Sequence, residues 1–104
     1  MSIVQLLANP QAYEGRTVEV SGFVNLEFEG NAIWLHEEDF RRSLYQNALW
    51  LDVSEAECAD ANGKPLSAYA SISGTFTAKS HGHMGLWPGE ITVTGSCFPL
   101  PSRR

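Results

Sequence analysis

The amino-acid sequence predicts a mainly β fold, a small barrel of five strands with a short N-terminal helix and a short helix or helical turn between strands. Three observations carry this. Long stretches alternate apolar and polar residues at the two-residue period of a half-buried strand, and glycine-containing or acidic segments separate them. One short pattern, a β-branched residue, a hydroxyl residue and a glycine, recurs as Val20-Ser21-Gly22, Ile72-Ser73-Gly74 and Val93-Thr94-Gly95. Each recurrence sets a glycine in step with inward β-branched residues, so three strands are expected to bend at equivalent places, as closure of a barrel requires.

Ser2, with Gln5 three residues on, has the form of a capping box. Leu6 and Leu7 give the helix an apolar side that ends near Asn9, because Pro10 disfavours helix in the residue before it. Asn9 then caps a second turn through Tyr13 with Pro10 at its first position, and Gly15 closes it, making residues 1–15 an N-terminal helical segment. Between residues 17 and 28, Val18, Val20, Gly22, Val24, Leu26 and Phe28 fall on one face, the inward one, and the polar residues on the other. This predicts one long strand bent at Gly22. Glu29-Gly30-Asn31 reads as a tight connection, and residues 32–36 as extended. Glu37, Glu38 and Asp39 precede Arg41 and Arg42 as a helix dipole prefers, and Phe40 shares a face with Leu44. Residues 47–53 return to strand, and 54–66 form a loop with one helical turn around 55–61. Residues 69–79 alternate again, with Ala70, Ile72, Gly74, Phe76 and Ala78 inward. Residues 90–97 make the last strand, with Ile91, Val93, Gly95 and Cys97 inward, and 99–104 an extended, flexible tail. The quintet Asn31-Ala32-Ile33-Trp34-Leu35 is echoed by Asn47-Ala48-Leu49-Trp50-Leu51, which reports two strands with the same facing.

At 104 residues, 43% hydrophobic and 18% charged, the chain fits one domain, 1–104, that buries about two thirds of its unfolded surface. Seven basic residues against twelve acidic ones give a net charge of −5, with Arg16, Arg41, Arg42, Lys64 and Lys79 scattered and Arg103 and Arg104 at the extreme end. That balance argues against nucleic acid and against anionic membranes as partners. Residues 1–9 lack a basic leader and a long apolar stretch, so neither a signal peptide nor a spanning helix is expected, and the address is cytoplasmic. Two cysteines in a chain with an adequate core are weak evidence for a disulfide scaffold, so Cys58 and Cys97 are expected as reduced, buried thiols, and no cofactor is expected.

Long glycine-bent first and fourth strands, a connecting segment before the fourth and a short N-terminal helix look like a five-stranded OB-fold barrel of Greek-key topology. The run YEGRTVEVSG from Tyr13 to Gly22 resembles the opening strand of OB domains of the tRNA-anticodon-binding-like group, and ASISGTF from Ala70 to Phe76 resembles their fourth strand. The fuller set, FEGNAIWLH from Phe28 to His36 with Gly74-Thr75-Phe76 and Gly82-His83-Met84-Gly85, is similar to small uncharacterised bacterial proteins. The resemblance implies a fold and not an activity. The basic half of a nucleic-acid-binding OB surface is missing here.

Trp34 and His36 share one side of the second strand and Trp50 and Asp52 one side of the third, opposite Ile33, Leu35, Leu49 and Leu51. In an OB barrel the outer face of these strands is where ligands lie, and two tryptophans there make a stacking platform for a base, a sugar or a peptide aromatic. The other reading has them packed beneath residues 37–45 or 54–66, enlarging the core. The connection from His81 to Gly89 holds two of the three histidines and three of the nine glycines. His81 and His83 make half of a metal site that His36, Glu37 or Asp39 would complete. Alternatively the histidines bond to backbone while Gly82, Gly85 and Gly89 supply positive φ, and the absence of zinc-motif spacing favours this second reading. Glu27, Glu29, Glu37, Glu38 and Asp39 read as a solvated rim, and no nucleophile elbow, phosphate loop or Cys–His pair is present, so no catalytic residue is assigned.

The expectation is therefore a small OB-type binding or interaction module for a small molecule or protein, touching it through Trp34, His36, Trp50, His81, His83 and Trp87. A metal-dependent site on His81 and His83, or a structural, oligomerising role through edge strands of a partly open barrel, are the alternatives.

Overall fold

The Ser2 backbone N–H donates to Gln5 Oε1 at 3.1 Å, and helix α1 follows over Ile3–Ala8 with Ile3 and Leu6 buried. Asn9 interrupts it ahead of Pro10, and one turn, α2, occupies Pro10–Tyr13. Gly15 adopts φ +75° and donates its N–H to Phe76 O at 2.8 Å, which turns the chain into the barrel. The computed structural model describes residues 1–53 and 58–101.

The fold is mainly β, as expected. Five strands, β1 Thr17–Asn25, β2 Ala32–Trp34, β3 Ala48–Asp52, β4 Ser67–Thr77 and β5 Glu90–Pro99, close into a barrel in the order β1-β2-β3-β5-β4. All neighbours are antiparallel except β3 and β5, which run parallel. Helix α3, Glu37–Arg41, and a 3-10 turn, Tyr45–Asn47, connect β2 to β3; a second 3-10 turn, His83–Gly85, interrupts the β4–β5 connection. Inside lie Val20, Val24, Ile33, Leu49, Leu51, Ile72, Phe76 and Ile91, joined by Ile3 and Leu6 of α1. Every strand has two neighbours, but β3 and β5 pair only over Trp50–Asp52 and Glu90–Thr92, so the sheet nearly closes and β5 beyond Thr92 has a strand partner on one side only among the described residues. Among the described residues no helix is long and apolar enough to cross a membrane.

Two of the three triplet glycines lie where the neighbouring strand approaches closely, and the third does not. A Cβ on Gly22 would stand 2.6 Å from Trp34 O, and one on Gly74 would collide with Thr92 O, so at both points the neighbouring strand passes where a side chain would be. Gly95 does something else. The β4–β5 register steps from Gly74↔Val93 to Ile72↔Cys97, which leaves β5 two residues longer across the interval. That bulge turns Gly95 outward and leaves Cys97 only partly buried, correcting their expected inward facing.

Other boundaries shift for local reasons. β1 runs to Asn25, one bond in the same register joins the Leu26 N–H to Leu66 O (2.9 Å) beyond it, and Phe28, expected inward, is 85% exposed. β2 ends at Trp34, before His36. β5 continues to Pro99, and the Leu100 N–H donates to Tyr69 O at 2.8 Å, so the expected tail remains paired to the barrel through residue 100; residues 102–104 lie outside the described residues. Of the helical turn expected over 55–61, residues 55–57 lie outside the described residues, while Asp60 accepts N–H bonds from Asn62 (2.8 Å) and Lys64 (3.0 Å) in a tight turn.

The cysteines are not the separate thiols expected. Cys58 and Cys97 form a disulfide with Cα atoms 5.4 Å apart. Their separation of 39 residues hides this in the sequence: the bulged end of β5 comes to lie beside the β3–β4 connection, a juxtaposition set by topology alone.

Candidate binding site

The two related quintets build the floor of the site. They pair antiparallel, with Ile33 opposite Leu49, Trp34 opposite Ala48 and Ala32 opposite Trp50. The pairing is symmetric down to its ends: the Leu35 N–H donates to Asn47 O and the Leu51 N–H to Asn31 O, both at 2.9 Å. Alternation sends Ile33, Leu49 and Leu51 into the barrel and both tryptophans to its outer face. Each indole stands across from an alanine, whose small side chain leaves room for the ring.

That outer face is covered. Asp39, buried, accepts the His36 backbone N–H at Oδ2 (2.9 Å) and the Asn47 amide at Oδ1 (3.0 Å), which fixes both ends of the segment carrying α3. Phe40 is thereby held over Trp34 and Phe23, at 5.7 Å between ring centroids in each case. From the other side comes the β4–β5 connection. Gly82 has φ +65° and lies so close to the β3 indole that a Cβ there would be 2.6 Å from Trp50 Cβ and from Trp87 Cδ1. Trp87 then packs edge-to-face on Tyr45 (4.9 Å) and Trp34 (5.4 Å) and leans on Trp50 (5.7 Å). Trp34 and Trp87 are each 4% exposed, so the aromatics form a second core outside the barrel.

A groove of about 190 Å³ remains at the border of this core. Its aromatic walls are Trp34, Phe40, Tyr45 and Trp87; Glu27, Glu29 and Gly30 enter from the β1–β2 connection, and His83 and Leu86 from the β4–β5 connection. Glu29 Oε2 lies 3.2 Å from His83 Nε2, which ties those two connections together. Backbone strain gathers in the same place. Among the described residues three non-glycine side chains have positive φ, Glu29 (59°), Ser43 (55°) and Met84 (62°), one in each of the three connections around the groove. Nε1 of Trp34 and Nε1 of Trp87 are buried, with no acceptor among the described residues. Both are closed off even from the groove, so a molecule lying there meets their rings and not their donors.

The six residues singled out from the sequence separate into four sets. Trp34 and Trp87 are buried in the aromatic core and line the groove. His83 lines it too and lies over Trp50 at 6.3 Å and 28°, while Trp50 is partly buried beside it. His81 bonds through Nδ1 to Trp87 O (2.9 Å), the backbone partner that the loop reading expected. His36 is elsewhere, its ring exposed and 3.6 Å from Asp39 of its own segment. Among the described residues no three His, Cys, Asp or Glu side chains converge as a metal cage would need. Phe40, Tyr45, Leu86, Glu27 and Glu29 complete the groove without having been assigned a contact role. The aromatic pair Phe40 and Tyr45, one within the acid-to-base helix and one just after it, was the signal available for two of them.

A second cavity, about 340 Å³, lies between α2 and the end of β4, lined by Pro10, Gln11, Glu14, Ala78 and Lys79. Comparison with protein-family models, with curated proteins and with solved structures gave no match for this chain.

Proposed function

We propose that this chain is an OB-type Greek-key barrel acting as a binding module, with the groove between the β1–β2 connection, the α3 segment and the β4–β5 connection as its contact surface. The strand order β1-β2-β3-β5-β4 with its parallel β3–β5 pair supports the fold, since a five-stranded barrel of this connectivity is what the resemblance implies. The observation that carries the function is position. OB barrels bind ligands on the outer face of strands 2 and 3 between the connections that follow strands 1 and 4, and the groove borders that face between those two connections. The left-handed Glu29, Ser43 and Met84 around it support the same reading, because strained backbone concentrates at ligand sites. The aromatic platform expected on this face is replaced by a filled aromatic core, so contact is made at its border and not across two open indoles. The disulfide weighs against a cytoplasmic address, since such bonds persist in oxidising compartments.

Backbone amide shifts of the labelled protein, recorded on adding acetate, N-methylurea, benzyl alcohol, methylguanidinium and a thymidine hexanucleotide in turn, test this. Shifts centred on Gly30, Trp34, Leu86 and Trp87 are expected with at least one probe. Shifts centred instead on Gln11, Glu14 and Ala78, or on no surface at all, would overturn it.

A further inference from the structure

The groove's composition identifies the chemistry it recognises. Four aromatic side chains line it, and the charged groups at its border are the carboxylates of Glu27 and Glu29 together with the titratable ring of His83. Among the described residues no lysine or arginine lines it; the nearest basic residues in sequence, Arg41 and Arg42, are paired along α3 with Glu37 and Glu38. A cation is the group that such a border favours, attracted by ring quadrupoles and by carboxylates at once. With a net charge of −5 the whole molecule draws cations in the same direction.

Shape narrows the cation. About 190 Å³ is below the roughly 300–1,000 Å³ of pockets that enclose drug-sized ligands, so the groove holds one head group. Each carboxylate has one oxygen already engaged, Glu27 Oε1 by the Asn25 amide at 2.5 Å and Glu29 Oε2 by His83 at 3.2 Å, and for the other no protein donor is present among the described residues. A quaternary ammonium has no N–H to offer those oxygens. A guanidinium has: it is flat, weakly hydrated, stacks on aromatic rings and presents forked donors to carboxylates.

The surroundings indicate what carries it. Phe28 (85% exposed) and Met84 (76%) stand in the same two connections as the lining residues, and Leu86 (50%) lines the groove itself. Exposed apolar side chains bordering a polar anchor site suit a polypeptide more than a free ion. We infer that the groove takes the guanidinium of an arginine side chain presented by a protein partner, seated against Trp34, Phe40 and Tyr45 and hydrogen-bonded to Glu27 and Glu29. This rests on the binding-module reading above.

Calorimetric titration of the full chain with acetyl-Leu-Arg-Leu-amide and with its citrulline counterpart, equal in shape but uncharged, decides the matter. The arginine peptide is expected to bind at least about tenfold more tightly, the ratio expected of a charge-assisted pair. Glu27→Gln with Glu29→Gln, checked for an unchanged amide spectrum, is expected to remove that preference, and methylguanidinium alone is expected to bind more weakly than the peptide. Equal binding of the two peptides, or a preference that survives the double substitution, overturns the inference. Should N-methylurea or benzyl alcohol shift the groove amides while the arginine peptide does not bind, the module reading stands and this inference alone falls.

Discussion

Gly82 and Gly63 share a positive φ, at +65° and +77°, yet substitution separates them. A Cβ on Gly63 meets nothing within 4 Å, so Gly63→Ala carries only the cost of an L residue in that conformation, about 1 kcal/mol. A Cβ on Gly82 lies 2.6 Å from atoms of Trp50 and Trp87, which adds overpacking of about 1–3 kcal/mol and lifts the β4–β5 connection off β3. Urea unfolding of the two variants is expected to show Gly82→Ala as clearly the less stable; equal midpoints would show that the connection does not rest on Trp50. Glycine also marks where sequence stops being legible. The three triplets share one pattern, but Gly22 and Gly74 are points of close strand approach and Gly95 sits in a bulge. Which of these a glycine serves depends on the partner strand, and the triplet contains no information about it.

Among elements, the β2–β3 pair was the most legible. A repeated N-A-x-W-L string is self-complementary when run antiparallel, since each tryptophan then meets the alanine of the other copy, and the repeat could have been read as a pairing. Alternation correctly placed Trp34 and Trp50 outside the barrel. It could not say what covers them, because Phe40, Tyr45 and Trp87 come from connections whose path is set by Asp39 and Gly82. The contact of α2 with β4 supplies a pH prediction. Glu14 Oε1 accepts the Ala78 N–H at 2.9 Å, and its hydrogen bonds to the Thr77 side chain and then to Ala78 hold its carboxyl below the usual range. A carboxyl with a lowered folded-state pKa stabilises the fold above its unfolded value of about 4.3, and that contribution fades as pH falls through the folded value. Glu14→Gln is therefore expected to lose stability at pH 7 and to approach the parent protein as the pH drops below about 4.3. Urea midpoints measured from pH 3 to 7 that remain equally spaced would rule this out.

For the molecule as a whole, the barrel class followed from alternation and bending, whereas strand order, closure and the disulfide depend on contacts between distant residues that no local pattern encodes. The Cys58–Cys97 bond, spanning 39 residues, is expected to contribute about 4 kcal/mol by restricting the unfolded chain. Unfolding with and without a phosphine reductant should differ by about that amount; identical curves, with two thiols titrating in the untreated protein, would show the bond is not formed. The functional proposal depends on another global feature, the aromatic core that closes the outer face of β2 and β3 and leaves a groove only at its border. Proton NMR of the three indole N–H groups after transfer to D2O tests that feature without any ligand. Trp34 and Trp87, sealed beneath α3 and the β4–β5 connection, are expected to keep their signals well after that of the partly exposed Trp50 has gone. Loss of all three signals together, at the rate of free indole, would mean that the face is open and that the groove as described does not exist.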